Sequence, residues 1–173
     1  MKAIIRDISS ENYGDFHKMY KVFEEPPYSE KYTEEELKQE YDFLTKEGRV
    51  CGYYVNGVCV GMVTFNKRQL YDHPIHYDHP EKVVYLSDLT VLKEYRGHGI
   101  GTILVRYAIE EAKKAGYEIM YMRTLQPGES MSYGIALKQG FRLRPETEDI
   151  IKERHDKNRD ELDTRIFLDI QLK

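Results

Sequence analysis

Arg96-Gly97-His98-Gly99-Ile100-Gly101-Thr102 lies between a segment of strand character, Val83–Val91, and a segment of helical periodicity over residues 100–115. Its three glycines at alternate positions keep backbone N–H groups clear of side chains just where the helix begins. Unpaired N–H groups at a helix start, together with the positive end of the helix dipole, form an anion site. Arg96 adds a guanidinium suited to phosphate oxygens. Strand, glycine turn and helix make up the architecture of a phosphate cradle.

The spacing narrows the kind of cradle. A Walker A loop needs a lysine after its second glycine, and none stands here. The dinucleotide fingerprint Gly-x-Gly-x-x-Gly, started at Gly97, puts its last glycine on Thr102, and a start at Gly99 fails as well. A nucleotide phosphate-binder is therefore disfavoured. Arg-x-x-Gly-x-Gly does fit, from Arg96 to Gly101. In this respect the stretch resembles the acetyl-CoA pyrophosphate loop of the GNAT N-acetyltransferase superfamily, and residues 85–101 resemble that family's central strand, turn and helix throughout.

On either side, the chain reads as alternating elements. Residues 3–6 form a short opening strand. Ser9 or Ser10 can cap a helix from about Glu11 that carries Phe16, Met19, Tyr20 and Phe23 on one face and ends at Pro26-Pro27. Thr33 and Glu36 form a capping-box pattern that opens a second helix through about Lys46, stopped by Gly48. Residues 50–55 and 58–65 are strands around Asn56-Gly57, a two-residue hairpin signal. Val83–Val91 is apolar on both faces and so central in its sheet. The next helix carries Ile100, Ile103, Leu104, Tyr107, Ala108 and Ala112 and is closed by Gly116. A strand over 117–124 follows, then a turn at Pro127-Gly128, a short helix over 130–139, extended chain from Phe141, and a closing strand over 164–172. Residues 146–161 are densely charged and read equally as a short helix or a hairpin arm. This order resembles that of GNAT proteins over nearly the whole chain. The resemblance implies a single α/β domain over 1–173, with a mixed central sheet splayed between its fourth and fifth strands and flanked by about four helices. Acetyl-CoA would sit in the opening. The residues alone support an α/β domain with a phosphate-binding turn.

Bulk properties exclude other classes. At 173 residues the chain is one domain long and can bury a sizeable core. A net charge of −4 gives no electrostatic support for nucleic-acid binding. There is no apolar run of membrane-spanning length and no signal peptide, so a cytoplasmic protein without membrane association is expected, as monomer or homodimer. Cys51 and Cys59 flank the predicted hairpin turn and are expected to be free, buried thiols. Fifteen tyrosines and no tryptophan are the chain's aromatic signature, and tyrosine suits semi-polar pockets as well as cores.

The resemblance assigns roles residue by residue. Arg96, Gly97, His98, Gly99, Ile100, Gly101 and Thr102 would hold the pyrophosphate. The main chain of Leu89, Thr90 and Val91 would pair with the pantetheine amides as an added strand does. The expected reaction is direct attack of a primary amine on the thioester in a ternary complex, the acceptor being a small molecule or a peptide. Acetyl-CoA is the co-substrate, and no metal is expected. Asp88, a carboxylate among Leu86, Leu89 and Val91, should be desolvated toward a useful base. Many relatives place an acid one position earlier, where this chain has Ser87, which shifts that role to Asp88 or to ordered water.

The family pattern Asn-x-x-Ala-x-x-Leu-Tyr-x-x-x-Gly-Phe, anchored on Gly140-Phe141, puts Ala136 at the tyrosine that protonates the departing sulfur and Glu129 at the asparagine. Tyr133, one helical turn earlier, is the expected substitute. Glu25 and Tyr28, between the first two helices, are the expected acceptor-binding residues, acid and aromatic together suiting a cationic amine. Tyr71-Asp-His-Pro74, repeated at Tyr77-Asp-His-Pro80 with His76 between, lies in a long connection that reads as a lid or a dimer contact. Its His73, His76 and His79 are expected to be solvated. The alternative function is a non-catalytic acyl-CoA-binding module that keeps the cradle and has lost the acid.

Overall fold

In the computed structural model, which describes residues 2–26, 28–67, 75–125, 131–146 and 166–173, these periodicities become seven strands and four α-helices. In chain order they are β1 (Ala3–Asp7), α1 (Tyr13–Tyr20), α2 (Glu34–Glu47), β2 (Gly48–Val55), β3 (Val58–Asn66), β4 (Val83–Val91), α3 (Ile100–Lys114), β5 (Ile119–Thr124), α4 (Ser132–Lys138), β6 (Arg142–Leu143) and β7 (Ile166–Gln171). One sheet takes them in the order β1-β2-β3-β4-β5-β7-β6. All neighbours are antiparallel except β4 and β5, which the α3 crossover makes parallel. This is the expected mixed sheet, with β4 at its centre.

The parallel pair holds the site. β4 and β5 are in register only from Val83↔Ile119 to Leu86↔Met122, so residues 87–91 of β4 continue without β5 beside them. The sheet therefore splays between its fourth and fifth strands. On the other edge β4 stays paired with β3 to Gly61↔Val91, but the register passes from Phe65↔Leu86 to Thr64↔Asp88 and skips Ser87. That bulge re-aims the chain just where the splay opens.

Two main cores pack helices against the sheet, one on each face, and a smaller cluster of Val83, Tyr85, Tyr121 and Phe167 joins β4, β5 and β7. On one face, α3 and α4 pack Leu104, Val105, Ala108, Ala112 and Ala136 against Val63, Val84 and Leu86. On the other, α1 and α2 pack Phe16, Met19, Leu37, Tyr41 and Leu44 against Val50, Tyr54 and Met62. Full burial of a Leu- or Phe-sized side chain stabilises by roughly 1.5–3 kcal/mol. The α3-side core bridges β4 and β5 where they pair, and the gap opens beyond Leu86 and Met122, where that pairing ends.

Several boundaries differ from the sequence reading, each for a local reason. The first helix opens as a tight 3₁₀ turn over Ser10–Asn12, and neither serine caps it: the Ser9 hydroxyl donates to Asn12 Oδ1 at 3.3 Å instead. α2 does open on a full capping box, with Glu36 N–H donating to Thr33 Oγ1 at 3.1 Å and Thr33 N–H donating to Glu36 Oε2 at 2.7 Å. β5 begins at Ile119 rather than Tyr117 because the Tyr117 N–H closes the end of α3 on the Ala112 carbonyl at 3.1 Å. Cys51 and Cys59 are free and buried but are not cross-strand partners. Cys51 pairs with Val63 and lies in the α3-side core; Cys59 pairs with Tyr54 and lies in the α1-side core. The expected turn at Pro127-Gly128, the start of the fourth helix, Glu129, His73 and the charged segment from 147 onward lie outside the described residues.

Candidate functional site

Asp88 stands at the splay, 9% exposed, with its carboxylate turned to the α1 side. Thr64 Oγ1 donates to Asp88 Oδ2 at 2.5 Å, Ser87 Oγ lies 3.3 Å from the same oxygen, and the Tyr20 hydroxyl donates to Oδ1 at 3.4 Å. Thr64 Oγ1 is also 2.5 Å from Ser87 Oγ, which accepts from Asn66 Nδ2 at 2.9 Å. Asn66 Nδ2 can only donate and the ionised Asp88 can only accept, so Thr64 gives its single proton to Asp88, and the single Ser87 proton goes either to Thr64 Oγ1 or to Asp88 Oδ2. Burial raises the Asp88 acid to about 6 and the nearby Glu40 charge adds to the rise, while the Thr64, Ser87 and Tyr20 hydrogen bonds oppose it. The result is a carboxylate poised to take a proton near neutrality.

Asp88 forms part of the floor of a cavity of about 650 Å³. One wall is the α1–α2 side, with Tyr20, Phe23, Tyr28, Glu30 and Tyr32; a second is the α2 stripe Glu36, Gln39, Glu40 and Phe43. The floor runs over residues 85–89 of β4 and crosses the splay to Met122, Arg123 and Ser132. The aromatic wall is tightly built, with ring centroids of Tyr20–Phe23 and Tyr20–Tyr32 at 5.2 Å and Phe23–Tyr28 at 5.3 Å, all near edge-to-face.

The glycine loop sits at the end of β4. Gly97 (φ +81°) and Gly99 (φ +80°) occupy the left-handed region, and a Cβ on either would meet nothing within 4 Å, so conformation rather than space requires glycine there. Gly99 precedes α3 without any side-chain cap, so no N-cap side chain takes up the first N–H groups of the helix. Gly101 differs: it has no left-handed requirement, and a Cβ there would come within 3.0 Å of Ile135 Cδ1, the far end of a flexible side chain on α4.

Arg96 has a double engagement. Its Nε donates to the Val91 carbonyl at 2.9 Å, tying the loop to the end of β4, and its Nη2 is 4.0 Å from Glu25. Gly97, His98 and Gly99 are exposed, Gly101 and Thr102 are half-buried, Ile100 at the start of α3 is buried, and Leu89 and Val91 pack toward the α3-side core while Thr90 is buried. A polyanion at the α3 start and an amide-bearing arm along the free edge of 87–91 both fit these features.

The other expected residues are spread more widely. Tyr28 lines the cavity; Glu25 does not, facing Arg96 instead. Tyr133, in the first turn of α4, is half-buried against the α3-side core, and its neighbour Ser132 is the α4 residue at the cavity. Ala136, at the family's tyrosine position, is fully buried. His76 and His79 are described; His79 pairs with Glu81 at 3.3 Å on the surface. The connection before β4 docks through Tyr77, whose hydroxyl donates to Asp169 at 2.9 Å and whose ring lies 5.8 Å from Tyr121, itself stacked on the cavity residue Tyr85 at 4.8 Å.

Sequence reasoning missed Thr64, Tyr20, Tyr32, Glu30, Glu36 and Glu40. Only the α2 residues carried a usable signal: positions 36, 39, 40 and 43 share one helical face.

A family model described as "Acetyltransferase (GNAT) family" matches residues 14–141. An N-acetyltransferase from Staphylococcus aureus Mu50 superposes with a TM-score of 0.75 at 18% identity, over 100% of both chains. The Salmonella typhimurium protein yncA, solved with its cofactor acetyl-CoA, gives 0.69 at 16% identity over 100% of this chain and 95% of that one. The paia N-acetyltransferase of Thermoplasma acidophilum, in complex with coenzyme A, gives 0.62 at 16% identity over 99% of both.

Proposed function

The chain belongs to the GNAT acetyltransferase family, and we propose that it transfers the acetyl group of acetyl-CoA to a primary amine by direct attack in a ternary complex. Bound acetyl-CoA would supply the thioester. The single observation that carries the reading is the position of Asp88: a buried carboxylate at about 6, on the floor of a cavity that opens at the splay.

The cradle residues 96–102 bind the pyrophosphate through the uncapped α3 start, and the free edge at Leu89, Thr90 and Val91 orients the pantetheine arm. An amine entering the cavity is an ammonium ion at neutral pH and must lose a proton before its nitrogen can attack. Asp88 accepts that proton, with Thr64 and Ser87 holding the carboxylate in one orientation. As the C–N bond forms, the C–S bond breaks and Tyr133 gives the departing sulfur its proton; the second proton lost from the attacking nitrogen restores the phenol, and Asp88 releases the first to solvent. The aromatic wall keeps water from the reacting nitrogen. The fully buried Ala136 at the usual acid position favours the second reading, an acyl-CoA-binding module without turnover.

Free-thiol release from acetyl-CoA over a panel of amines, amino acids and peptides separates the two. Amine-dependent release supports transfer; tight CoA binding without release from any acceptor supports the binding module.

A further inference from the structure

Arg96 faces both halves of the site. Its Nε donates to the Val91 carbonyl at the end of β4, and its Nη2 lies 4.0 Å from Glu25 Oε2. A carboxylate beside an anion cradle repels the ligand that the cradle receives, so Glu25 lowers the affinity for a polyanion. Nor does the pair brace the fold: the Arg96 and Glu25 side chains are 48% and 57% exposed, and an exposed pair adds little stability. An incoming phosphate reaches the same guanidinium and binds it through charge-assisted, bidentate hydrogen bonds. Pyrophosphate and Glu25 therefore compete for one cation, and the doubly charged pyrophosphate outweighs a single carboxylate.

The Glu25 main chain carries the consequence to the cavity. Its carbonyl accepts from the Tyr28 N–H at 3.2 Å and the Ser29 N–H at 3.1 Å, and its own N–H donates to the Val22 carbonyl at 3.2 Å. The Glu30 N–H reaches back to the Phe23 carbonyl at 2.9 Å. Phe23, Tyr28 and Glu30 all line the cavity, with the first two rings edge-to-face at 5.3 Å. One residue thus holds the donor cradle by its side chain and the acceptor wall by its backbone. We propose that Glu25 is a positioning residue: it occupies Arg96 until the donor pyrophosphate displaces it, and its release shifts Tyr28, so that the acceptor wall responds to donor binding. Linkage makes the coupling reciprocal between the two subsites. This rests on the reading of residues 96–102 as a pyrophosphate cradle.

Calorimetric titration with coenzyme A tests the competition. Glu25→Gln is expected to bind about two- to five-fold more tightly than the parent at low salt, a gain that shrinks as salt is raised. Glu24→Gln, whose parent carboxylate pairs with Lys21 instead, should bind as the parent does. Arg96→Gln should lose about ten-fold or more, and in its background the Glu25→Gln gain should vanish. The chain has no tryptophan, so Tyr28→Trp carries a single indole as reporter. Its emission should shift on titration with 3′-phospho-ADP, the nucleotide half of coenzyme A, which lacks the pantetheine arm. Adding Glu25→Gln should abolish that shift. Unchanged coenzyme A affinity in Glu25→Gln, the same gain in the Arg96→Gln background, or an indole signal indifferent to Glu25→Gln overturns the proposal. Lost affinity in Arg96→Gln with Glu25→Gln silent rejects the coupling and leaves the cradle intact. Arg96→Gln binding as tightly as the parent rejects Arg96 as a cradle residue, and the coupling with it.

Discussion

The Thr64 hydroxyl donates to the Asp88 carboxylate at 2.5 Å across the β3–β4 pair, the shortest of the bonds that hold this buried acid. Asp88 also faces Tyr20 from α1, the Glu40 charge from α2 and Ser87 on its own strand. The Thr64 bond favours the ionised form and so works against desolvation.

Thr64→Val removes that donor while conserving shape. The acidic limb of the kcat/KM profile, expected near pH 6 in the parent, should move up by about one to two units, because a hydrogen bond to a charged group is worth about 1.5–3 kcal/mol and one unit is about 1.4. Thr64→Ser should return the limb to its place. A Thr64→Val profile that overlays the parent shows that the bond does not set the base.

Asp88→Asn should lower kcat by about 10²–10⁴-fold with coenzyme A affinity retained. Its effect on stability has a definite sign. The folded acid sits at about 6, above its ordinary 3.8, so the native state holds the proton more tightly and stability falls as pH rises through that window. Asparagine carries no such penalty. The variant should therefore melt higher than the parent at pH 8, by an amount on the order of 1–3 kcal/mol, and the gain should vanish below about pH 4. Equal melting temperatures at both pH values mean that the carboxylate is not desolvated.

Gly97→Ala and Gly99→Ala place a Cβ in open space but force left-handed backbone, at a cost of about 1–2 kcal/mol each. Both should lower the melting temperature and weaken coenzyme A binding in calorimetry. Gly101→Ala meets only the flexible end of Ile135 and should cost less than either. The reverse order would place the constraint in packing rather than in backbone conformation.

Tyr133→Phe keeps the half-buried ring and removes the hydroxyl. If the tyrosine protonates the departing sulfur, kcat falls at least ten-fold while the melting temperature stays within a degree or so. Turnover unchanged at high and low pH alike takes Tyr133 out of the reaction.

Burial pushes the Cys51 thiol up to about 12 and the Cys59 thiol up to about 11, so neither forms much thiolate at neutral pH. A disulfide-exchange reagent at pH 8 should leave the native protein unlabelled and modify both cysteines after unfolding. Oxidants should give no intramolecular bridge, since the two lie in cores on opposite faces of the sheet.

The sequence by itself determined the architecture: the Asn56-Gly57 hairpin, the Thr33/Glu36 cap and the helical stripes placed most elements, and Arg96 to Thr102, read between an apolar strand and an amphipathic helix, supplied the proposal of a phosphate cradle. These signals are local: a turn type, a cap or a periodicity is written in a few consecutive residues. Local signals also say that Glu36, Gln39, Glu40 and Phe43 share a face, but not what that face meets. Only the tertiary structure decided that it meets a cavity floored by Asp88, that Glu25 turns away to Arg96, and that Ser87 is skipped in the register so that Thr64 reaches Asp88. Each of these depends on the packing or register of segments tens of residues apart. A one-residue bulge changes such a register without altering the pattern of either strand.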